Sequence, residues 1–162
     1  MWYHGKDSSE EDTPASRRKA KRCRVEAGHA HASLVYDGPV CVGWCQFGPP
    51  DELPRIHNER AYLAADPVLP DWRITCFFVG KGYRGKGVAT AALAGAIEQI
   101  RRLGGGRIEG YPEATEGRKA SSAFLFNGAL STFTKLGFKA SRQIGKHKWV
   151  ATRTVRRSRA ET

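Results

Sequence analysis

Between Gly80 and Thr90 the chain reads GKGYRGKGVAT, a run of glycines and cations suited to holding phosphate. Glycine lets backbone N–H groups come close to an anion because no side chain stands in the way. Arg84 and Lys86 add positive charge. From Gly80 the stretch matches G-x-G-x-x-G, the dinucleotide fingerprint; from Gly80 to Lys86 it is a P-loop short of its final Ser or Thr. Neither context is met. A dinucleotide loop follows the first strand of its fold and is answered by an acid ending the next strand. Here the loop lies mid-chain after a hairpin, and the acid at hand, Glu109, falls inside a strand. A P-loop needs a hydroxyl directly after its lysine to hold magnesium, and Gly87 stands there. What the residues do support is a pyrophosphate held on the amides of about Gly85 to Thr90, where a helix opens and its dipole points at the anion. The small Ala89, Ala91 and Ala92 keep that first turn accessible.

Glu109 and Tyr111 are a second group with chemical capacity. They lie two apart on one strand and so share a face. Burial would raise the Glu109 pKa and let it take a proton from an ammonium through water; an exposed carboxylate, or one paired to arginine, is the competing reading. Glu113 is a weaker candidate on the following loop. His29, His31, His57 and His147 read as solvated side chains. The cysteines at 23, 41, 45 and 76 show no C-x-x-C and no paired histidine at ligand spacing, which argues against a zinc site or a disulfide framework and for buried thiols. No metal is expected.

These groups need elements to position them. Thr13-Pro14 supplies a helix N-cap and first position, and Gly28 a stop, around a segment with six basic residues from Arg17 to Arg24. Its thin apolar face reads as a solvated helix, with a polyanion-binding helix as the alternative. Strands at 33–36 and 40–47 flank Asp37-Gly38-Pro39, a hairpin signal. An irregular excursion follows over 48–70. Trp72–Val79 is an almost wholly apolar strand, expected to be central and covered on both faces. After the glycine loop, Val88, Ala92, Ala96, Ile97, Ile100 and Leu103 recur at helical spacing. A strand over 107–111 stops at Pro112, and 113–122 is loop. Asn127 can cap a helix through Leu136, with Gly137 ending it, and strands over 138–144 and 146–155 close the chain. The order is helix, hairpin, strand, helix, strand, helix, strand, strand: an α/β fold with a mixed sheet.

Length and composition fit one domain. The chain has 162 residues with 40% hydrophobic and 27% charged content. The expected organisation is a poorly ordered lead over 1–12, a single domain over 13–155 and a basic tail over 156–162. No window approaches about 18 uninterrupted apolar residues, so no membrane-spanning helix is expected. The polar, acidic start MWYHGKDSSEED is not a secretory signal, which points to the cytoplasm. A net charge of +11 implies attraction to polyanions without choosing among them. A nucleic-acid binder would rest on that charge and the 17–24 cluster alone, with no base-reading motif.

CFFVGKGYRGKGVATAAL, RIEGYPE and NGALSTFTKLGF together resemble the GNAT superfamily of acyl-CoA N-acyltransferases, from about Leu34 to Val155. Arg84 to Ala89 matches its (Q/R)-x-x-G-x-(G/A) loop, and Leu136-Gly137-Phe138 its helix-to-strand corner. The resemblance implies a mixed, mostly antiparallel sheet flanked by helices, in which the strands around the loop helix splay apart. It implies acetyl-CoA as co-substrate, with the pantetheine arm in the gap and paired like an added strand to Phe77, Phe78 and Val79. Arg84, Gly85, Lys86, Gly87, Val88, Ala89 and Thr90 would hold the pyrophosphate, and Asn127 and Phe133 join the cofactor-binding set. It implies direct attack of a neutral amine on the thioester, with Glu109 and Tyr111 as catalytic candidates. Trp44, Phe47, the 48–70 excursion and the 112–122 loop would wall the amine site, and Gly117-Arg118-Lys119 could bind an anionic group there.

Two departures stand out. Phe133 occupies the position where many members carry a tyrosine that protonates the leaving thiolate, and it has no proton to give. The chain also starts too late for a full first strand, so either the start is internal or that strand is missing or replaced. Both favour a rival reading, a non-catalytic acyl-CoA-binding module. The acceptor, whether small molecule or peptide, is not specified, and a homodimer is compatible with the sequence.

Overall fold

The computed structural model describes residues 12–117 and 125–158. All but Asp12 of the expected lead over 1–12, the end of the basic tail, and Arg118 and Lys119 lie outside them. The elements run α1 (Pro14–Glu26), β1 (His31–Asp37), β2 (Val40–Gly48), α2 (Glu59–Leu63), β3 (Trp72–Val79), α3 (Val88–Arg102), β4 (Gly105–Gly110), α4 (Leu130–Lys135), β5 (Lys139–Gln143) and β6 (Trp149–Arg156), with single 3-10 turns at Lys81–Tyr83 and Leu125–Asn127.

The six strands form one sheet in the order β1-β2-β3-β4-β6-β5. Only β3 and β4 run parallel; every other neighbouring pair is antiparallel. Parallel neighbours need a crossover, and α3 supplies it. Its buried face runs from Val88, and Ala92, Leu93, Ala96, Ile97 and Ile100 pack with Cys45, Phe47, Ile74, Phe77, Ile108, Phe133 and Phe138 in the main core. Leu93 joins this face, whereas Leu103 does not: it follows the last helical residue and is 52% exposed.

The expected hairpin is present, with Gly38 at φ +55 and Asp37 paired to Val40. The capped basic helix is also present. Thr13 and Ser16 exchange bonds of 3.1 and 3.0 Å in a capping box, and no residue of α1 is buried. Other expectations fail. Phe78 is 49% exposed, so the far end of β3 is not covered on both faces. Cys23 and Cys41 are exposed, leaving Cys45 as the buried thiol. The helix near 127–136 is only Leu130–Lys135, with Ala129 rather than Asn127 at its N-cap. Asn127 faces inward instead, because its side chain has buried backbone to satisfy.

Opposite α3, a second cluster of Ile56, Tyr62, Tyr111, Ile144 and Val150 carries the 48–70 excursion against the sheet. Arg73 fastens it by donating to the carbonyls of Leu53 at 2.8 Å and Pro54 at 3.1 Å. The Arg73 Nε is buried without a partner among the described residues.

Candidate functional site

The sheet opens at its centre. β3 and β4 pair only through Trp72↔Ile108, Arg73↔Glu109 and Ile74↔Gly110, although β3 continues to Val79. Pro112, two residues past Gly110, has no N–H to extend the ladder. On its other edge β3 shifts register against β2, so that Gln46 faces Cys76 while Phe47 faces Ile74. Thr75 is the extra residue, and such a bulge breaks the regular ladder just where the strands part.

On the α3 side, Phe133 fills the apex. Its ring is fully buried and meets Phe77 and Phe138 edge-on at 5.9 and 5.0 Å. A Cβ at Gly110 would lie 2.1 Å from this ring, so glycine is required there.

Beyond the opening, the Gly80 N–H bonds the Val42 carbonyl at 2.8 Å, and the chain turns through Lys81–Tyr83 to Gly85 (φ +75) and Gly87 (φ +81). Gly87 is the N-cap of α3 and lies in the left-handed region, which side-chain-bearing residues rarely adopt. A Cβ there would meet nothing within 4 Å, so the constraint is conformational and the space in front is open. The bond from the Ala91 N–H to the Gly87 carbonyl, 3.0 Å, begins the helical ladder. Val88, Ala89 and Thr90 therefore present the amides that a helix leaves without an internal acceptor.

These amides border a cleft of ≈ 540 Å³. Of the residues singled out for cofactor binding, Phe77, Phe78, Val79, Arg84, Gly85, Gly87, Val88, Ala89 and Thr90 line it. Lys86, Asn127 and Phe133 do not. Lys86 lies over the Tyr83 ring at 5.5 Å, and the Tyr83 hydroxyl donates to Asp37 at 3.0 Å. The opposite wall holds Phe126, Thr132 and Lys135, which sequence reasoning missed. Their only signal was proximity to the Gly137-Phe138 corner.

Glu109 and Tyr111 sit on the other face. Glu109 is 1% exposed. One carboxylate oxygen accepts from the Tyr62 hydroxyl at 2.8 Å and the Tyr111 hydroxyl at 3.3 Å; the other pairs with Arg107. Burial pushes the Tyr111 hydroxyl well above its usual pKa. It also raises that of Tyr62, helped by the bond to Glu109. Both hydroxyls thus keep their protons and act as donors. Neither Glu109 nor Tyr111 lines the cleft.

The acceptor-side wall differs in part from expectation. Phe47 is fully buried in the α3-side core, because it lies two residues from Cys45 on β2 and shares its face. Trp44 does lie on the open face, stacked on Phe78 at 6.2 Å. The histidines are not all solvated: His31 bonds Glu52 at 2.9 Å, and His57 meets the Phe126 ring at 4.9 Å. Burial, then the nearby Lys148 charge, lowers the His57 pKa below its usual 6.5. Glu113 is paired with Lys148 at 3.0 Å. Among the described residues, no three His, Cys, Asp or Glu side chains gather as a metal site, and no helix is long and apolar enough to cross a membrane.

Helix-opening amides at the edge of a cleft, beside a sheet parted at its centre, fit an acyltransferase-type α/β architecture. The model of the Acetyltransferase (GNAT) family matches residues 2–125, and the chain belongs to that family. No curated protein matches it in sequence. Among solved structures, the chain is similar to a ribosomal-protein-alanine N-acetyltransferase from Brucella melitensis, with TM-score 0.54 and 16% identity over 87% of this chain and 78% of that one. It is also similar to a GNAT superfamily phosphinothricin acetyltransferase from Sinorhizobium meliloti in complex with acetyl-CoA (TM-score 0.54, 15% identity, 90% and 72% coverage). The ribosomal-protein-S18-alanine N-acetyltransferase from Escherichia coli resembles it over 96% of both chains, with TM-score 0.51 and 11% identity. At these identities the likeness is one of fold.

Proposed function

We propose that the chain transfers an acetyl group from acetyl-CoA to an amine, by direct attack within a ternary complex. The observation that carries this reading is the row of helix-opening amides at Val88, Ala89 and Thr90, facing a cleft whose floor runs to Phe77. The pyrophosphate lies against these amides, with Arg84 beside it and Lys135 across the cleft. The pantetheine arm extends along Val79, Phe78 and Phe77, taking the place of the strand that β4 ceases to be after Gly110.

In the reaction, the amine nitrogen bonds the thioester carbonyl carbon, the C–S bond breaks and the thiolate leaves on CoA. Alignment of the two substrates supplies most of the acceleration, and backbone donors near the Thr75 bulge polarise the carbonyl. Glu109 is the candidate acceptor of the ammonium proton, reached through the Tyr111 hydroxyl that touches it. Phe133, sealed in the core, takes no part in protonating the thiolate; Thr132 is the hydroxyl on the cleft wall closest to it in sequence.

A second reading, acyl-CoA binding without turnover, is favoured by two specific observations: both Glu109 oxygens are engaged, and Phe133 carries no proton. Thiol release from acetyl-CoA across a panel of amines separates the two. Turnover with any amine supports transfer. Cofactor binding by calorimetry with no turnover across small amines and peptide N-termini supports the binding module. The nucleic-acid alternative predicts binding to duplex or single strands that falls steeply with salt.

A further inference from the structure

The gap between β3 and β4 is bridged at the first residue pair beyond the ladder. Had the strands continued to pair, Thr75 would stand opposite Tyr111. Instead, the Thr75 carbonyl accepts from the Asn127 amide Nδ2 at 2.6 Å. The Asn127 Oδ1 accepts from the Lys148 Nζ at 2.7 Å, and that ammonium also lies 3.5 Å from the Tyr111 carbonyl and 3.0 Å from Glu113. Asn127 and Lys148 are 1% and 7% exposed. A continuous buried polar bridge therefore runs from β3 to the extension of β4.

We infer that the Thr75–Asn127–Lys148 bridge sets the width of the strand gap, with Lys148 as a positioning residue for the pantetheine arm and thioester. The inference rests on the acetyl-CoA reading above. Three observations support it. First, the bridge occupies backbone groups that would otherwise be drawn back into a β3–β4 ladder, since buried carbonyls must find donors. Second, Lys148 is anchored on both sides of the gap's floor: it leads into β6 and forms a bridge with Glu113. Glu113 in turn accepts from the Leu130 N–H at 2.8 Å through its carbonyl, tying the start of α4 to the same assembly. Third, a buried polar network whose members are all engaged rigidifies and specifies a geometry. Lys148 does not line the cleft and acts through Asn127 and β3.

The test compares two ligands on the full chain by calorimetry: CoA, and adenosine 3′-phosphate 5′-diphosphate, which carries the diphosphate but no pantetheine. The variant is Lys148→Met with Glu113→Gln, which removes the charge together with its partner so that no buried carboxylate is stranded. Wild type binds CoA more tightly than the diphosphate. In the variant that margin falls by about tenfold or more, while diphosphate affinity stays within about threefold. Where turnover is present, kcat falls by about 100-fold, the scale of a small misplacement of reacting groups. If the double variant fails to fold, Asn127→Leu, which keeps the Lys148–Glu113 pair, is put through the same comparison. A folded variant that retains the full margin overturns the inference. So does one that loses both ligands in proportion, because that marks a general structural role. If wild type binds neither ligand, the acetyl-CoA reading falls and takes this inference with it.

Discussion

The two faces of the parted sheet are built on opposite plans. On the α3 side, the cleft is made by backbone: left-handed glycines, open space before them and amides without helical acceptors. On the other side, Glu109, Tyr62, Tyr111, Arg107 and Arg73 form a cluster in which the carboxylate is fully engaged and 1% exposed. The first plan leaves helix-opening donors without an internal acceptor; the second engages both oxygens of its carboxylate internally. A perturbed ionisable cluster is often where catalysis is sought, yet here the open chemistry belongs to the plain glycine loop. The contrast teaches that unmet hydrogen-bonding capacity, more than unusual titration, is the feature to test for a ligand.

The largest expected effect comes from destroying the backbone site. Gly87→Glu forces a side-chain residue into φ +81 and sets a carboxylate against phosphate. CoA affinity should fall by about 100-fold or more by calorimetry. Gly87→Ala separates the two causes, since it carries the conformational cost alone.

Next is Gly110→Ala, whose Cβ would meet the Phe133 ring at 2.1 Å. Overpacking of this kind costs about 1–3 kcal/mol, visible as a lower midpoint in denaturant unfolding. Phe133→Tyr follows. The ring is fully buried with its tip toward Gly110, so a hydroxyl there should destabilise by about 1–3 kcal/mol and should not raise the rate. A faster Phe133→Tyr enzyme would show that the cleft reaches the ring after all.

Glu109→Gln sharpens the comparison of the faces. Through its effect on Tyr62, Tyr111 and Arg107 it should lower the melting temperature. If Glu109 receives the substrate proton through Tyr111, kcat should also fall by about 100-fold or more. An unchanged kcat would confine the cluster to holding the excursion.

The smallest effect concerns His57. Its folded pKa is depressed below 6.5 by burial and Lys148, so the unfolded chain binds the proton more readily. Stability from this residue is complete above that value and is lost as pH falls through the folded pKa. The melting temperature should therefore decline slightly more between pH 7 and 5 in wild type than in His57→Asn.

The loop, hairpin, basic helix and crossover helix were legible because each rests on local rules: glycine spacing, a cap, a two-residue turn, a 3.6-residue apolar period. The GNAT resemblance added the central opening. Asn127 suits a helix cap by its sequence position, while its real partners, Thr75 on β3 and Lys148 just ahead of β6, lie far along the chain. Phe47 and Trp44 are three apart on β2 and so face opposite sides; Phe47 goes with Cys45 into the core, and alternation alone excludes both from one wall. Tyr62 escaped notice inside an irregular excursion, and only the fold brings it to Glu109.

The central claim is that the amides opening α3 receive a diphosphate. An amide-resolved NMR titration with CoA tests it most directly. The account predicts that the largest shifts fall on Gly85 through Thr90, with a second set on Phe77 to Val79. Shifts concentrated on the basic residues of α1, with the loop unmoved, would contradict it.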